Sequence, residues 1–318
     1  MPQELSNARK RVLAKFVEEL VVPPGKAVRL SRDCDPAATA GARDKQQGQE
    51  LLEEGVELLS DYQARLAAQG TWGVLVVLQA LDTAGKDGAI RHVMSGVNPQ
   101  GVSVHSFKVP SSEELAHDYL WRYASRLPAR GQIGIFNRSH YEEVLAVRVH
   151  REYLDRQKLP EAAKRRGVWK RRFREINDWE RYLTDTGLRI VKLFLNVSKE
   201  EQRKRLLRRI DLPSHNWKFS HADVAEREFW DDYQRAISET LSHTSTEWAP
   251  WYVIPADHKW YARIATASVL VNTLVELDPR YPHVGHEQRA ELAAAKQALE
   301  AQAPPGAAAD PNLSGEDS

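Results

Sequence analysis

Residues 80–88, with the sequence ALDTAGKDG, are the segment of this chain best suited to chemistry on a phosphate. A standard phosphate-binding loop reads Gly, four residues, then Gly-Lys-Ser/Thr. Here Ala80 stands in place of the first glycine and Asp87 in place of the Ser/Thr, whereas Gly85 and Lys86 are retained. The pattern predicts a phosphate-binding loop with two altered positions, and an ordinary glycine turn is the alternative.

The sequence on both sides of the loop favours the first interpretation. An apolar run rich in β-branched residues precedes it (71–79, TWGVLVVLQ), and a helical pattern follows it (89–97, AIRHVMSGV). A strand, loop and helix in this order direct backbone N–H groups and the helix N-terminus at an anion. Lys86 is then expected to reach the phosphoryl group that is transferred. The predicted phosphate-binding residues of this segment are Ala84, Gly85, Lys86, Asp87, Gly88 and Arg91.

Two carboxylates lie in or beside the loop. In nucleotide-binding loops the Ser/Thr hydroxyl coordinates magnesium, and Asp87 occupies that place here, while Asp82 adds a second acid. Carboxylate oxygens suit a hard cation such as Mg²⁺. The sequence therefore predicts a metal held through acidic side chains, and the alternative for Asp82 is a turn-forming aspartate that bonds its own loop.

A third polar segment, 134–145 (GIFNRSHYEEVL), follows another predicted strand. Asn137 can orient water or phosphate, and the planar fork of Arg138 pairs well with phosphoryl oxygens. Glu142 lies four residues beyond Arg138, so both side chains can face one cleft. Glu142 is a candidate for holding a metal or accepting a proton, and a surface ion pair with Arg138 is the alternative.

Arginine and lysine are concentrated in residues 164–183 and 198–213. A solvated helix face is the default explanation of such runs. In a chain whose formal net charge is only +1, however, they indicate an anionic ligand larger than one nucleotide. The second run is expected to belong to a mobile lid that excludes water from the phosphates. The predicted ligands in this lid are Arg203, Arg205, Arg208, Arg209 and Lys218.

The elements that must position these residues are predicted to alternate between strand and helix. The five apolar runs expected to form strands are 71–79, 101–109, 131–137, 188–197 and 251–256. Their alternation with helical stretches predicts an α/β fold with a doubly wound, five-stranded parallel sheet. Residues 44–69 are expected to form one amphipathic packing helix.

The chain is divided accordingly into three parts. Residues 1–43 are expected to be an irregular N-terminal arm, residues 44–284 the catalytic domain with the lid at about 198–225, and residues 285–318 an Ala/Pro-rich acidic tail that is partly helical and disordered at its end. The N-terminus has no apolar signal-peptide core and no run approaches the length of a membrane span. The single cysteine, Cys34, excludes an intramolecular disulfide and a cysteine zinc cluster. We therefore expect a soluble cytoplasmic protein.

Six segments together resemble the family-2 polyphosphate kinases over about residues 44–277: LQALDTAGKDGAIRHVMSGVNPQGV, DYLWR, IFNRSHYEEVL, SKEEQRKRLLRRIDLP, NWKFS and STEWAPWYVIPADHKWY. The resemblance implies a P-loop kinase fold, similar to thymidylate kinases, with a helical lid. Asn137, where other members carry Asp, resembles the class that phosphorylates both AMP and ADP.

The resemblance also implies the substrates and the site. The donor would be inorganic polyphosphate and the acceptors adenine nucleotides, with guanine nucleotides as the alternative. Asp82 and Glu142 would hold Mg²⁺, with Mn²⁺ as the alternative metal, and Lys86, Asn137 and Arg138 would act on the phosphates. Asn98, Phe107 and Arg122 lie in stretches similar to the acceptor side of the family. A homodimer or homotetramer is expected, with neither nucleic acid nor membrane as a partner.

Two other functions compete with this interpretation. An ATP-dependent nucleotide or small-metabolite kinase would share the loop, but the missing Ser/Thr at Asp87 and the extended basic lid argue against it. A non-catalytic module that binds polyanions or RNA would use the basic runs, but it would need neither Lys86 nor Asp82. The chain also has no typical RNA-binding motif.

Overall fold

A six-stranded sheet forms the centre of the molecule. The structure is a computed structural model, and it describes residues 5–40, 45–165 and 167–303. The strand order is β1-β6-β5-β2-β4-β3. Strands β2 to β6 are parallel, and β1 adds to β6 in the antiparallel direction. The strands are β1 (Val21–Val22), β2 (Gly73–Ala80), β3 (Val102–Ser106), β4 (Ile133–Asn137), β5 (Leu188–Asn196) and β6 (Trp251–Pro255).

Helices cover both faces of this sheet. The α-helices are α1 (Asn7–Glu18), α2 (Leu30–Asp33), α3 (Lys45–Gln69), α4 (Lys86–Val93), α5 (Trp121–Ala124), α6 (Ala146–Val149), α7 (Glu152–Arg156), α8 (Val168–Asp185), α9 (Lys199–Asp211), α10 (His221–Ala225), α11 (Trp230–Thr244), α12 (Lys259–Leu277) and α13 (His286–Glu300). Short 3-10 helices span Pro99–Gly101, Glu114–Ala116, His140–Glu143, Glu161–Lys164, Pro213–Lys218 and Glu226–Phe229. No helix in these described ranges is long and apolar enough to cross a membrane.

Strand β2 is central because it is apolar along its whole length and buried on both faces. Val74 and Val76 face a core shared with α1, α3, α4 and α12. Leu75 and Val77, which alternate with them, face a second core shared with α2, α8 and α11. The five predicted parallel strands and the doubly wound arrangement are confirmed.

The N-terminal region is not the irregular arm that we predicted. Helix α1 packs on α12, with Val17 buried and the ring of Phe16 at 6.2 Å, edge-on, from that of Tyr261. The chain then pairs Val21 with Tyr252 of β6, so the sheet has a sixth strand. Residues 41–44 lie outside the described ranges, and the helix predicted from residue 44 is described from Lys45.

Ser111 and Glu114 form a reciprocal cap, but the chain continues only as a 3-10 turn and the four-residue α5, since Asp118 accepts a bond from the Leu120 N–H and starts a new turn. In the C-terminal tail α13 forms the predicted helix. The disorder predicted for the end of the tail falls on residues that are not described.

The topology places the candidate residues at one edge of the sheet. The chain runs from the central β2 to β3 and β4 on one side and then to β5 and β6 on the other. In open α/β sheets, ligands bind beyond the carboxyl ends of the strands where the strand order reverses. The loop after β2 and the turn after β4 both begin at this edge, and α9 begins after β5.

Candidate active site

The loop between β2 and α4 has the backbone expected of an anion-binding turn. Gly85 has φ 109° and Thr83 has φ 64°, both in the left-handed region, and α4 begins at Lys86. A left-handed threonine is rare and strained, and such residues concentrate at functional sites. The Thr83 hydroxyl is also buried without a hydrogen-bond partner in the described chain.

Lys86 lies inside this loop. Its Nζ donates to the carbonyl of Ala80 at 3.1 Å. Burial lowers the pKa of Lys86, and the nearby Arg138 lowers it further, against the opposing effect of Asp82. A phosphate bound beside Nζ would favour the charged form of the amine, so Lys86 is suited to bind an anionic ligand.

Asn137, the last residue of β4, contacts the first turn of α4. Its Nδ2 donates to Oδ1 of Asp87 at 2.8 Å and lies 3.4 Å from Oγ of Ser106. The predicted neighbours Asn137 and Asp87 are therefore brought together. The contact orients the Asp87 carboxylate at the helix N-terminus, where negative charge is favoured.

Arg138 bridges two carboxylates. It has φ 65°, and its Nη2 lies 2.5 Å from Oδ1 of Asp82 while Nη1 lies 3.5 Å from Oε2 of Glu142. The charge of Glu142 raises the pKa of Arg138, and Asp82 adds to this against the effect of burial. The amide of Gln79, with its nitrogen facing the carboxylate because a carboxylate can only accept, donates to Oε1 of Glu142 at 3.0 Å. The three predicted residues form one cluster.

Helix α10 and the 3-10 helix after it contribute more acid to this cleft than the sequence indicated. Asp223, Glu226, Trp230 and Tyr233 line the cavity together with Asp82, Arg138 and Glu142. Burial raises the pKa of Asp223, and Asp82 raises it further. We missed these residues because acids in a helical segment carry no spacing signal, and only the fold of the lid brings them to the loop.

A histidine contacts the segment that lines the cleft. His150, which follows α6, lies with Nε2 at 3.0 Å from Oε2 of Glu226, and its ring meets that of Phe229 at a centroid distance of 4.6 Å. Burial raises the pKa of Tyr233, and its hydrogen-bond partner Glu226 adds to this. The segment after α10 is therefore fixed to the body of the domain.

The four predicted arginines of α9 have different surroundings. Arg203 forms a bidentate pair with Glu200, both distances being 2.8 Å, on a half-exposed surface. Arg209 bonds Asp223 at 3.0 Å and so reaches an acid that lines the cleft. Arg208 is exposed. Arg205 is buried, with 5% of its side chain exposed, and bonds backbone carbonyls.

The prediction that Arg205 contacts phosphate is therefore corrected, because its donors are occupied within the protein. Lys218 ends the 3-10 helix Pro213–Lys218. The prediction for its side chain falls outside what the structure describes.

A group of cations that the sequence analysis only half identified lies near Arg205. Four cationic side chains form no hydrogen bond or ion pair with any described residue: those of Arg91, Arg208, Lys259 and Arg263. Burial lowers the pKa of Lys259, and Arg205, Arg208 and Arg263 lower it further. Burial and the charge of Arg91 likewise lower the pKa of Arg263. We call these four side chains the basic group.

Two arginines of the first basic run, Arg172 and Arg181, are paired within the protein and do not add to this group. In α8, Arg172 is 7% exposed, bonds Glu175 at 2.9 Å and lies over the ring of Tyr119 at 4.0 Å. Arg181 is paired with Asp185 and lies over Trp248. Acids and aromatic rings of the protein contact these arginines. They therefore fit the alternative explanation of the run, a solvated or structural helix face.

The three residues predicted for the acceptor side do not join the cleft of Arg138. Asn98 caps the turn Pro99–Gly101 through the N–H of Gln100. Phe107 is buried, with its ring 4.5 Å from that of Tyr123. Arg122 lies over Phe107 at 5.3 Å and within 3.2 Å of Glu114. Phe107 and Arg122 contact each other, whereas Asn98 has a local structural use.

The donor set of the cleft fits a divalent metal. Asp82 and Glu142 supply carboxylate oxygens that are partly exposed, 35% and 22%, although Arg138 contacts both. Within the described residues no three His, Cys, Asp or Glu side chains group closely enough to hold a metal by themselves. Mg²⁺ typically needs only one or two carboxylates, because waters and substrate phosphates complete its shell.

Comparison with known proteins gives one consistent family. Residues 42–281 match the family described as Polyphosphate kinase 2. The chain is 50% identical over 256 residues to the ADP-polyphosphate phosphotransferase of Rhodopseudomonas palustris, which covers 80% of this chain and 89% of that protein. It is 46% identical over 261 residues to the AMP/ADP-polyphosphate phosphotransferase of Meiothermus ruber, covering 82% and 94%. The crystal structure of Polyphosphate Kinase 2 from Arthrobacter aurescens TC1 superposes with a TM-score of 0.80 at 42% identity, covering 89% of this chain and 96% of that one.

Proposed function

Because the chain belongs to the Polyphosphate kinase 2 family, we propose that it transfers a phosphoryl group from inorganic polyphosphate to AMP and to ADP, giving ADP and ATP. The observation that carries this proposal is the meeting of Lys86, Arg138 and two acids at the carboxyl edge of the sheet. Positive groups at that place can stabilise the equatorial oxygens of a transferring phosphoryl.

Each residue of the cleft has a distinct part in the transfer. The N–H groups at the start of α4 and the Lys86 ammonium hold the terminal phosphate of the donor. Arg138 faces the phosphoryl that moves, and its contacts with Asp82 and Glu142 fix its orientation. Since a nucleotide phosphate is already deprotonated at neutral pH, the reaction requires no strong base. Glu142 therefore acts by positioning.

A bound divalent cation, which we propose to be Mg²⁺ with Mn²⁺ as a substitute, would neutralise charge between donor and acceptor phosphates. Asp82 and Glu142 are the side chains that would hold it. The basic group of Arg91, Arg208, Lys259 and Arg263 supports a donor longer than one nucleotide, because four cations that form no ion pair within the described residues favour an extended anion. We also propose a homodimer or homotetramer, which light scattering on the purified protein would measure.

The donor can be tested directly. Purified protein is supplied with AMP and a divalent cation, and either polyphosphate or ATP is the sole donor, with ADP measured by chromatography. We expect rapid ADP formation with polyphosphate and at most slow formation with ATP. Efficient transfer from ATP together with no transfer from polyphosphate would contradict the proposal and favour an ordinary nucleotide kinase.

A further inference from the structure

Arg205 uses its entire guanidinium group inside the protein. An arginine side chain has five N–H donors in a fixed planar fork. The Nε atom donates to Oε1 of Glu201 at 2.7 Å. The remaining donors contact backbone carbonyls: Nη1 those of Ala84 at 2.7 Å and Thr83 at 3.3 Å, and Nη2 those of Ala256 at 2.5 Å and Asp257 at 3.0 Å.

These contacts join three segments of the active site. Thr83 and Ala84 belong to the phosphate-binding loop, and Ala256 and Asp257 connect β6 to α12. Glu201 lies one turn before Arg205 on α9, whose first turn is itself attached to Asp257 by a 2.8 Å bond from the Ser198 N–H. One side chain therefore sets the position of the loop relative to the helix that carries the lid.

The carbonyl contacts have a consequence for the N–H groups of the loop. In a trans peptide the C=O and the following N–H point in opposite directions. Because the carbonyl of Ala84 is bonded by Arg205, the N–H of Gly85 is directed away from it. In the described chain the N–H groups of Gly85, Lys86, Asp87 and Gly88 have no acceptor. They are the donors that an anion at the start of α4 would use.

We infer that Arg205 is a positioning residue for phosphoryl transfer, which acts by holding the carbonyl of Ala84 inward so that the loop presents the N–H of Gly85 to the donor phosphate. This inference rests on the proposed function. It differs from phosphate binding by the lid, because the Nε, Nη1 and Nη2 donors of Arg205 already bond acceptors of the protein. Lysine cannot replace it, since an ammonium is a compact charge without the planar fork that reaches four carbonyls.

The test compares Arg205→Lys, which keeps the charge and removes the fork, with Lys204→Gln on the same helix. Lys204 is 61% exposed and lies 3.9 Å from Glu200, so its loss removes one charge without touching the loop. For each protein we would measure the thermal unfolding temperature, kcat with polyphosphate and AMP, and the dissociation constant of inorganic tripolyphosphate at several salt concentrations.

We expect Arg205→Lys to remain folded at the assay temperature and to lose about 100-fold in kcat, the effect typical of a small misplacement of catalytic groups. Tripolyphosphate should bind more weakly, but the dependence of its affinity on salt should match that of the wild type, because no charge–phosphate contact is lost. Arg205→Gln, which also removes the charge, would lower that slope only if Arg205 contacted the phosphate directly. Lys204→Gln should resemble the wild type in kcat.

Three results would overturn the inference. One is wild-type kcat in folded Arg205→Lys, which would reduce Arg205 to a stabilising residue. Another is the same loss of kcat in Lys204→Gln, which would show that any change in α9 has this effect. The third is a lowered salt slope in Arg205→Gln, which would make Arg205 a phosphate ligand. A wild-type protein that binds tripolyphosphate but transfers nothing from polyphosphate would contradict the proposed function, and the binding data would still test Arg205.

Discussion

The Nη2 atom of Arg138 lies 2.5 Å from Oδ1 of Asp82, and this contact joins the turn after β4 to the loop after β2. The two residues are separated by 56 positions in the chain. Parallel pairing of β2 with β4 brings their carboxyl ends together, since Leu78 is in register with Asn137. Arg138, the next residue, has a left-handed backbone with φ 65°. The cleft thus lies where the strand order brings two strand ends together.

Substitution of Arg138 by lysine should lower kcat by roughly 10²–10³-fold. Lysine keeps the charge but cannot contact Asp82 and Glu142 with one planar group, so both the phosphoryl contact and the orientation of the acids are lost. Steady-state kinetics with polyphosphate and AMP provides the measurement. Arg174→Lys, at an exposed position of α8, is the matched control. A kcat for Arg138→Lys within about threefold of the control would contradict this role.

The residue types of the hydrogen-bonded pair Asn137 and Asp87 can be exchanged between the two positions. Asn137→Asp places two carboxylates where a 2.8 Å hydrogen bond now exists, and we expect lower stability and lower kcat/KM. The double variant Asp87→Asn/Asn137→Asp restores a donor and an acceptor with their places reversed.

A double-mutant cycle on the free energy of unfolding should give a favourable coupling of about 1–2 kcal/mol. The two single variants, Asp87→Asn and Asn137→Asp, are measured at the same salt concentration to complete the cycle. Strictly additive effects would show that the contact contributes nothing to the site.

The basic group should control affinity for long donors. Lys259→Gln/Arg263→Gln removes two cations that have no acid partner among the described residues, and we expect KM for long-chain polyphosphate to rise roughly 10-fold, about 1.4 kcal/mol, with little change in kcat. Lys296→Gln on α13, at a position that is 76% exposed, is the control. Equal KM values in the double variant and the control would remove these residues from the donor path.

Stability should fall as the pH falls below about 6.5, the ordinary pKa of histidine. His140 is fully buried beside Glu180, at 3.2 Å, and burial lowers its pKa against the opposing effect of Glu180. In that pH range the histidine binds a proton in the unfolded chain but not in the folded protein. The free energy of unfolding therefore rises with pH, by at most about 1.4 kcal/mol per unit.

His140→Gln should flatten this slope, because glutamine can donate to Glu180 and does not titrate. Urea unfolding between pH 5 and pH 7.5 measures it, and His283→Gln, at an exposed position, should keep the wild-type slope. An unchanged slope in His140→Gln would assign the pH dependence to other groups. Glu180, whose pKa is lowered by Lys192 and His140 despite burial, adds to the loss of stability only in more acidic solution.

The parts of the fold that sequence reasoning predicted are those with a local signal. Strands β2 and β5 are continuous apolar runs, and the loop with Gly85 and Lys86 has a fixed spacing. Strand β1 has only two residues, too few for any periodicity, and is specified by its pairing with β6.

The candidate site was predicted to a similar extent. Asp82, Lys86, Asn137, Arg138 and Glu142 follow strand ends, so their convergence is implied by a parallel sheet. Arg205 looks like Arg208 or Arg209 in the sequence, and only packing shows that it faces the loop backbone. Asp223 and Glu226 enter the cleft through the fold of the lid, which no spacing rule describes.

The central claim is that this loop transfers phosphate from polyphosphate to two successive acceptors. The most direct measurement incubates the protein with Mg²⁺, long-chain polyphosphate and AMP, follows the nucleotides by chromatography over time, and includes Lys86→Ala with its unfolding temperature. We predict ADP followed by ATP, with both products reduced by several orders of magnitude in the folded variant. ADP that never proceeds to ATP, or equal turnover by Lys86→Ala, would contradict the account.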